Sequence, residues 1–210
     1  MGHRFSSTAA AIAVLSALTL AGCASSPPEH FYSLSNGIGI GIGIGVAATP
    51  PAPAAAYFIE VPAVTVPQQV ARSQLVVSTG AGRVDLLEQE RWSAPLAAEI
   101  GQALSLAISG ELGTIDVFRT PTPETAPVYR ISTNVQRFES APGQYALVDA
   151  VWSVRLVGST KVLTCRSVAN EPVAGGYDAL VAGHRRAVAR VGADISKAIR
   201  TLAAGGGAGC

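Results

Sequence analysis

Read for its alternation of apolar and polar positions, the chain divides into an ordered set of segments. Residues 57–67, "YFIEVPAVTVP", form a β-rich run broken by Pro62. That break suits a sheet edge, because proline has no N–H for a ladder. Residues 73–89, "SQLVVSTGAGRVDLLEQ", predict a hairpin with Gly80 and Gly82 in its turn. In "RWSAPLAAEIGQALSLAISGELG", Leu96, Ile100, Ala103, Leu104, Ala107 and Ile108 recur at helical spacing. Ser93 is its candidate N-cap, Pro95 falls in the first turn, and Gly113 is the stop. A short strand "IDVF" and a loop "RTPTPETAP" come next. Three longer strands follow, "VYRISTNVQRFES", "QYALVDAVWSVRLVG" and "KVLTCRSVANEPV", with turns at Pro142-Gly143 and Gly158-Ser159. In the middle one Ala146, Val148, Ala150, Trp152, Val154 and Leu156 share a face, with Asp149, Ser153 and Arg155 on the other. The last segment, "YDALVAGHRRAVARVGADISKAIRTLAA", keeps Tyr177, Leu180, Val181, His184, Val188, Val191, Ile195, Ala198, Ile199 and Leu202 on one helical stripe. Such a stripe could face a partner or a membrane, but a sheet with one apolar face needs a cover, and packing there is the simpler expectation for this helix. The order predicts an α+β fold, a mainly antiparallel sheet with two helices packed on one face.

The start of the chain has a different pattern. His3 and Arg4 precede an uncharged apolar run, "AAAIAVLSALTLA", and "LAGC" ends at Cys23. A basic start, an apolar run too short to span a bilayer and small residues at a cut site read as a secretory signal peptide. "LAGC" resembles the lipobox of bacterial lipoproteins. That resemblance implies cleavage before Cys23, a diacylglycerol thioether on its sulfur and an acylated amino group, palmitate being the expected acyl chain. Several acyl chains make a stable anchor. Ala24, rather than Asp, follows the cysteine. By the sorting rule that comes with the resemblance, this favours the outer membrane.

Between anchor and first strand stands "NGIGIGIGIGV", then "AATPPAPAAA". The glycines of the repeat occupy only odd positions, 37 to 45. G-x-G-x-x-G needs glycines of both parities, and a P-loop also needs a lysine, so neither phosphate motif fits. Period two would put Ile38, Ile40, Ile42 and Ile44 on one face, so an edge strand stays open beside a low-complexity tether. The predicted organisation is a signal peptide, 1–22; a lipidated flexible tether, 23–56; one periplasmic α+β domain, 57–203; and a flexible Gly-rich tail, 204–210. A tether of that length would reach about 30 Å when flexible and on the order of 100 Å when extended.

Composition narrows the partners. Without residues 1–22 the basic and acidic totals become 14 and 14, since Arg4 leaves with the leader. A net charge near zero provides no footprint for nucleic acid. His30 and His184 are the histidines that remain, and they are not spaced to share a metal. The common zinc signatures are absent, as are the G-x-S-x-G elbow and S-x-x-K. Ser159 stands in a turn. Glu88, Glu90 and Glu99 are the nearest approach to a carboxylate cluster, but near a helix start they more simply complement its dipole. His184 reads as a core or boundary histidine, and Trp92 and Trp152 as buried. The periplasm would permit a Cys165–Cys210 disulfide. Against it, "GGGAGC" reads as a mobile end and Cys165 as a small strand residue. No catalytic, metal or cofactor residue is predicted, and Cys23 is the single predicted site.

The blocks "CASSPPEHFYSLS", "RWSAPLAAEIGQALSLAI", "YRISTNVQRFE", "LVDAVWSVR" and "GGYDALVAGHRRAVARVGADISKAI", in this order, resemble the PqiC/YmbA family. These are auxiliary lipoproteins of ABC-type and MCE-type intermembrane transport systems. The resemblance implies a non-enzymatic outer-membrane lipoprotein facing the periplasm, with Cys23 as its lipid site. Its implied partner is an MCE-type tunnel protein that moves lipids or other hydrophobic molecules, and a role in membrane integrity follows. A homo-oligomer stays open. The chain departs from the family pattern in the Gly-Ile repeat and the Gly-rich end. The competing reading is a carrier that binds lipid between sheet and helices, and a periplasmic hydrolase is weaker for want of catalytic groups.

Overall fold

The long alternating strands form the layer on which everything else rests. The computed structural model describes residues 27–36, 55–122, 125–207 and 209–210; the leader, Cys23 and the Gly-Ile repeat lie outside them. Strands β5 (Val128–Ala141), β6 (Tyr145–Leu156) and β7 (Leu163–Pro172) make the predicted antiparallel meander. Its turns use Gly143 and Gly158 at φ of 73° and 85°, a region a glycine enters at no steric cost. One face buries Ile131, Val135 and Phe138 on β5 and Ala146 to Val154 at alternate positions of β6. Strand β2 (Phe58–Glu60) joins the β5 edge in parallel, with Phe58 opposite Val128. It is an edge strand, as Pro62 predicts.

A second sheet has the order β1-β4-β3. Strands β3 (Gln74–Gly80) and β4 (Arg83–Trp92) are the predicted hairpin, turning through Gly80, Ala81 and Gly82, all at positive φ. Strand β1 (His30–Tyr32) pairs with β4 in parallel. The α+β class holds, with mixed sheets: an antiparallel hairpin and meander, each carrying one short parallel strand.

Two helices complete the layers, α1 (Leu96–Leu112) and α2 (Tyr177–Ala203). The second lies along β6 and β7, and the first packs beside it. Glycines set these distances. A Cβ on Gly183 would overlap Val173 Cγ1, and one on Gly192 would stand 3.1 Å from Ala107 Cβ. Gly183 therefore lets α2 settle on the sheet and Gly192 lets α1 settle against α2.

Four expectations are corrected. Ser93 is not the N-cap: the helix begins after Pro95, which forms no side-chain cap bond, and the Ser93 hydroxyl turns to the Glu99 carboxylate instead. "IDVF" is not a strand but a single bridge between Asp116 and Ile59. Two backbone bonds, Ile59 N–H to the Ile115 carbonyl and Val117 N–H to the Ile59 carbonyl, make that bridge, and the Asp116 carboxylate adds to it by accepting the Val61 and Phe118 N–H groups and the Ser105 hydroxyl. The tether does not run unbroken over 23–56, because β1 lies inside it. Finally, Cys210 is bonded to Cys165, so the end of the chain is tied rather than loose. Helix α2 follows β7 and runs back along it, bringing its C-terminal end to the strand's beginning. With 27 residues in the helix and 10 in the strand, the rises are about 40 Å and 33 Å, and the short tail turns back to Cys165.

His184 is fully buried on α2, as its place on the stripe predicts. Its ring stacks on Phe138 at 4.0 Å, and Nε2 lies 2.8 Å from the Ser140 hydroxyl. Burial lowers its pKa from 6.5 to about 3. The folded state thus keeps a neutral ring where the unfolded chain would take up a proton. The stability this contributes is complete above pH 6.5 and is lost, at about 1.4 kcal/mol per pH unit, as pH falls toward 3.

Two outcomes are expected. Urea unfolding should show that His184→Gln narrows the stability gap between pH 7 and pH 4.5 by about 2 kcal/mol; equal gaps in variant and wild type would refute this assignment. Cys210→Ser should lower unfolding free energy by about 2–4 kcal/mol, the range for closing a loop of this length (sequence separation 45). The wild type should lose the same amount on reduction, and the variant should be indifferent to reductant.

Candidate functional site

Three residues cannot hold a strand in place by backbone pairing alone, and β1 is held by side chains. His30, Phe31 and Tyr32 stand opposite Glu90, Arg91 and Trp92 of β4. Glu90 takes the Tyr32 hydroxyl at 2.5 Å and lies 2.9 Å from His30 Nδ1. Burial pushes the Glu90 carboxyl up, but the hydrogen bonds from Tyr32 and His30 outweigh it and hold the group below the usual carboxylate range. The Tyr32 hydroxyl is pushed well above its ordinary value, by burial first and then by Glu90. The pair is therefore a carboxylate acceptor and a neutral phenol donor across the physiological range.

The next turn of chain is held harder. Glu99, in the first turn of α1, is 5% exposed. Its Oε2 accepts the Leu34 N–H at 2.7 Å and the Ser33 hydroxyl at 2.9 Å, and its Oε1 accepts the Ser93 hydroxyl at 2.6 Å. From α2, Arg185 donates Nε and Nη2 to the Ser33 carbonyl at 3.0 and 2.6 Å. Leu34 itself is fully buried in the main core. Residues 30–34 are thus gripped by β4, α1 and α2 together. Both oxygens of Glu99 accept from donors of the fold, three in all, which suits a clamp.

Beside this clamp runs a groove of about 460 Å³. Trp92 and Leu96 make its buried floor, Val66 and Phe31 its apolar sides, and Arg72 and Arg91 its basic rim. Arg91 is paired with Glu29 at 3.1 Å. Arg72 forms no ion pair among the described residues. Phe31 is 61% exposed.

The remaining candidates take structural places. Glu88 accepts from Gln74 Nε2 at 3.3 Å, and Ser159 accepts the Lys161 N–H inside its turn. The carboxylates Glu88, Glu90 and Glu99, near one another in sequence, serve different partners. Trp152 is buried and donates to Ser167, which donates on to Asp194 of α2. Among the described residues no three His, Cys, Asp or Glu side chains converge as a metal would need. Cys23 lies outside the described residues. The clamp itself was missed by sequence reasoning; the aromatic pair and serines of "HFYSLS" were its only trace.

A family model described as ABC-type transport auxiliary lipoprotein component matches residues 43–196. Curated protein sequences contain no match. Among solved structures, an uncharacterised protein superposes with a TM-score of 0.63 at 16% identity, covering 82% of this chain and 99% of its own. A Xanthomonas campestris protein of the DUF330 family superposes with a TM-score of 0.54 at 17% identity, covering 70% and 85%. These likenesses establish a shared fold. The family match begins after β1, so the clamp is a feature read from this chain's own structure.

Glu99→Ala should lower unfolding free energy by about 3 kcal/mol, because it removes charged hydrogen bonds and leaves the buried Leu34 N–H without an acceptor. Hydrogen exchange should locate the loss: the Leu34 amide should lose protection while the β5–β6 amides keep theirs. Uniform loss over the whole chain would refute a clamp specific to β1.

Proposed function

The chain belongs to the family of ABC-type transport auxiliary lipoproteins, and on that premise we propose that it is a docking subunit without catalytic chemistry of its own. It would be cleaved after residue 22, lipidated at Cys23 and held at the periplasmic face of the outer membrane. There it would mark the outer end of a path built by an MCE-type tunnel protein, through which lipids or other hydrophobic molecules pass, and so contribute to membrane integrity. The observation that carries this reading is the clamp. Three residues separate Cys23 from Pro27, the first described residue, and the chain from His30 to Leu34 is built into the domain. Seven residue steps lead from Cys23 to His30, the first residue of β1, so at most about 25 Å of chain would lie between the lipid site and the clamp. That is a mount for a fixed part, suited to positioning a partner at the membrane surface.

The carrier reading finds less support. A lipid shuttle needs room between sheet and helices, and that space is filled by Ile100, Leu104, Ile108, Ile131, Ile195 and Ile199, each 1% exposed or less.

Crosslinking in cells is expected to join the lipidated protein to an MCE-type tunnel subunit, and Cys23→Ala is expected to move the protein from the membrane fraction to the soluble periplasm and remove that crosslink. A native protein that fractionates as soluble would refute the anchor. A membrane-bound protein that yields no tunnel subunit would refute the docking role.

A further inference from the structure

The groove beside β1 faces a constraint that the rest of the surface does not. Pro27 can stand no more than about 14 Å from the lipidated sulfur, and Phe31 lies one short extended stretch further on. The surface that carries residues 27–31 is therefore held within about 30 Å of the lipidated cysteine, the part of the body tied nearest to the membrane. That surface presents an exposed aromatic ring, an apolar groove and a guanidinium that has no carboxylate partner among the described residues. Phe31 projects at 61% exposure although it sits on a paired strand. Trp92, Val66 and Leu96 line the groove behind it, and Arg72 stands at its rim without an ion pair among the described residues.

We propose that this face docks on the phospholipid bilayer itself, with Phe31 in the interface, an acyl chain or glycerol region against the groove, and Arg72 on a lipid phosphate. The inference rests on lipidation at Cys23, proposed above. An aromatic ring at the headgroup level and a basic group beside it match the chemistry of an anionic lipid–water boundary. The acyl anchor supplies attachment. The second contact supplies orientation: a body tethered at one point can rotate, whereas one held by a lipid and a facing groove presents a fixed surface to the periplasm. The outer face of the large sheet, with Val168 at 55% exposure, is a region of similar exposure on the other sheet and lacks this link to the anchor.

The test uses the mature lipidated protein in phosphatidylethanolamine/phosphatidylglycerol vesicles, after intact mass has been measured. Phe31→p-benzoylphenylalanine should give phospholipid adducts on irradiation, and Val168→p-benzoylphenylalanine should give about tenfold fewer. Both positions are exposed, so neither change enters the core, and circular dichroism should match wild type. Arg72→Glu should reduce the adducts at position 31 several-fold at low salt and less at high salt, as a phosphate contact requires. Equal labelling at both positions on protein of acylated mass would overturn the docking while leaving the anchor standing. A mass without acyl chains would overturn the anchor and the docking together.

Discussion

A buried carboxylate needs hydrogen-bond donors, and Glu99 finds two of its three in the chain just downstream of the predicted lipid site. This dependence runs both ways. Helix α1 carries Glu99 on its buried side, so without residues 33 and 34 the helix would hold an underbonded charge against the core. Residues 33 and 34, for their part, have no sheet neighbours, and the Leu34 N–H is satisfied by Glu99. Leu34 closes the exchange by filling the core beneath α1. The segment next to the predicted lipid site is therefore a structural member of the domain.

The same logic couples this clamp to the long helix. Arg185 leaves α2 to hold the Ser33 carbonyl, while the neighbouring His184 turns inward to Phe138 and Ser140. Trp92, the floor of the groove, packs edge-on to Phe138 at 5.9 Å and to the His184 ring at 6.4 Å. Gly183, one position earlier, brings this part of the helix close enough to the sheet for those contacts. Anchor segment, groove and sheet cover thus share one set of side chains. A buried neutral histidine serves such a joint well, because its ring fills an aromatic stack and still satisfies the Ser140 hydroxyl.

What the sequence made legible is what is local. The β6 stripe from Ala146 to Val154, the hairpin about Gly80 and Gly82, and the Gly113 stop, at φ 64°, were all readable because each depends on neighbours in the chain. Two features were not. Strand β1 is three residues long and its partners lie about sixty positions away, too short for a period and too distant for a pattern. Glu90 and Glu99 look like surface acids near a helix start, and only the fold reveals that His30, Tyr32, Ser33 and Leu34 arrive to meet them. The Cys165–Cys210 bridge is not legible in the tail, since glycine composition describes the tail's own preferences and not where α2 delivers it.

The Gly-Ile repeat changes meaning once β1 is placed. Residues 37–54 connect Asn36 to Ala55, and both ends belong to the domain: Ser35 N–H bonds the Ser33 hydroxyl inside the clamp, and Ala55 N–H donates to the Gly113 carbonyl at the end of α1. The repeat is therefore a connection between two strands of the body, β1 and β2, and not the link from membrane to body. Adding or removing Gly-Ile units would alter the entropy of closing that connection, which grows only with the logarithm of length, by a fraction of a kcal/mol. It would leave unchanged the short stretch from Cys23, the predicted lipid site, to Pro27. The repeat thus lies between two ends that belong to the domain, on the far side of the clamp from the predicted lipid site.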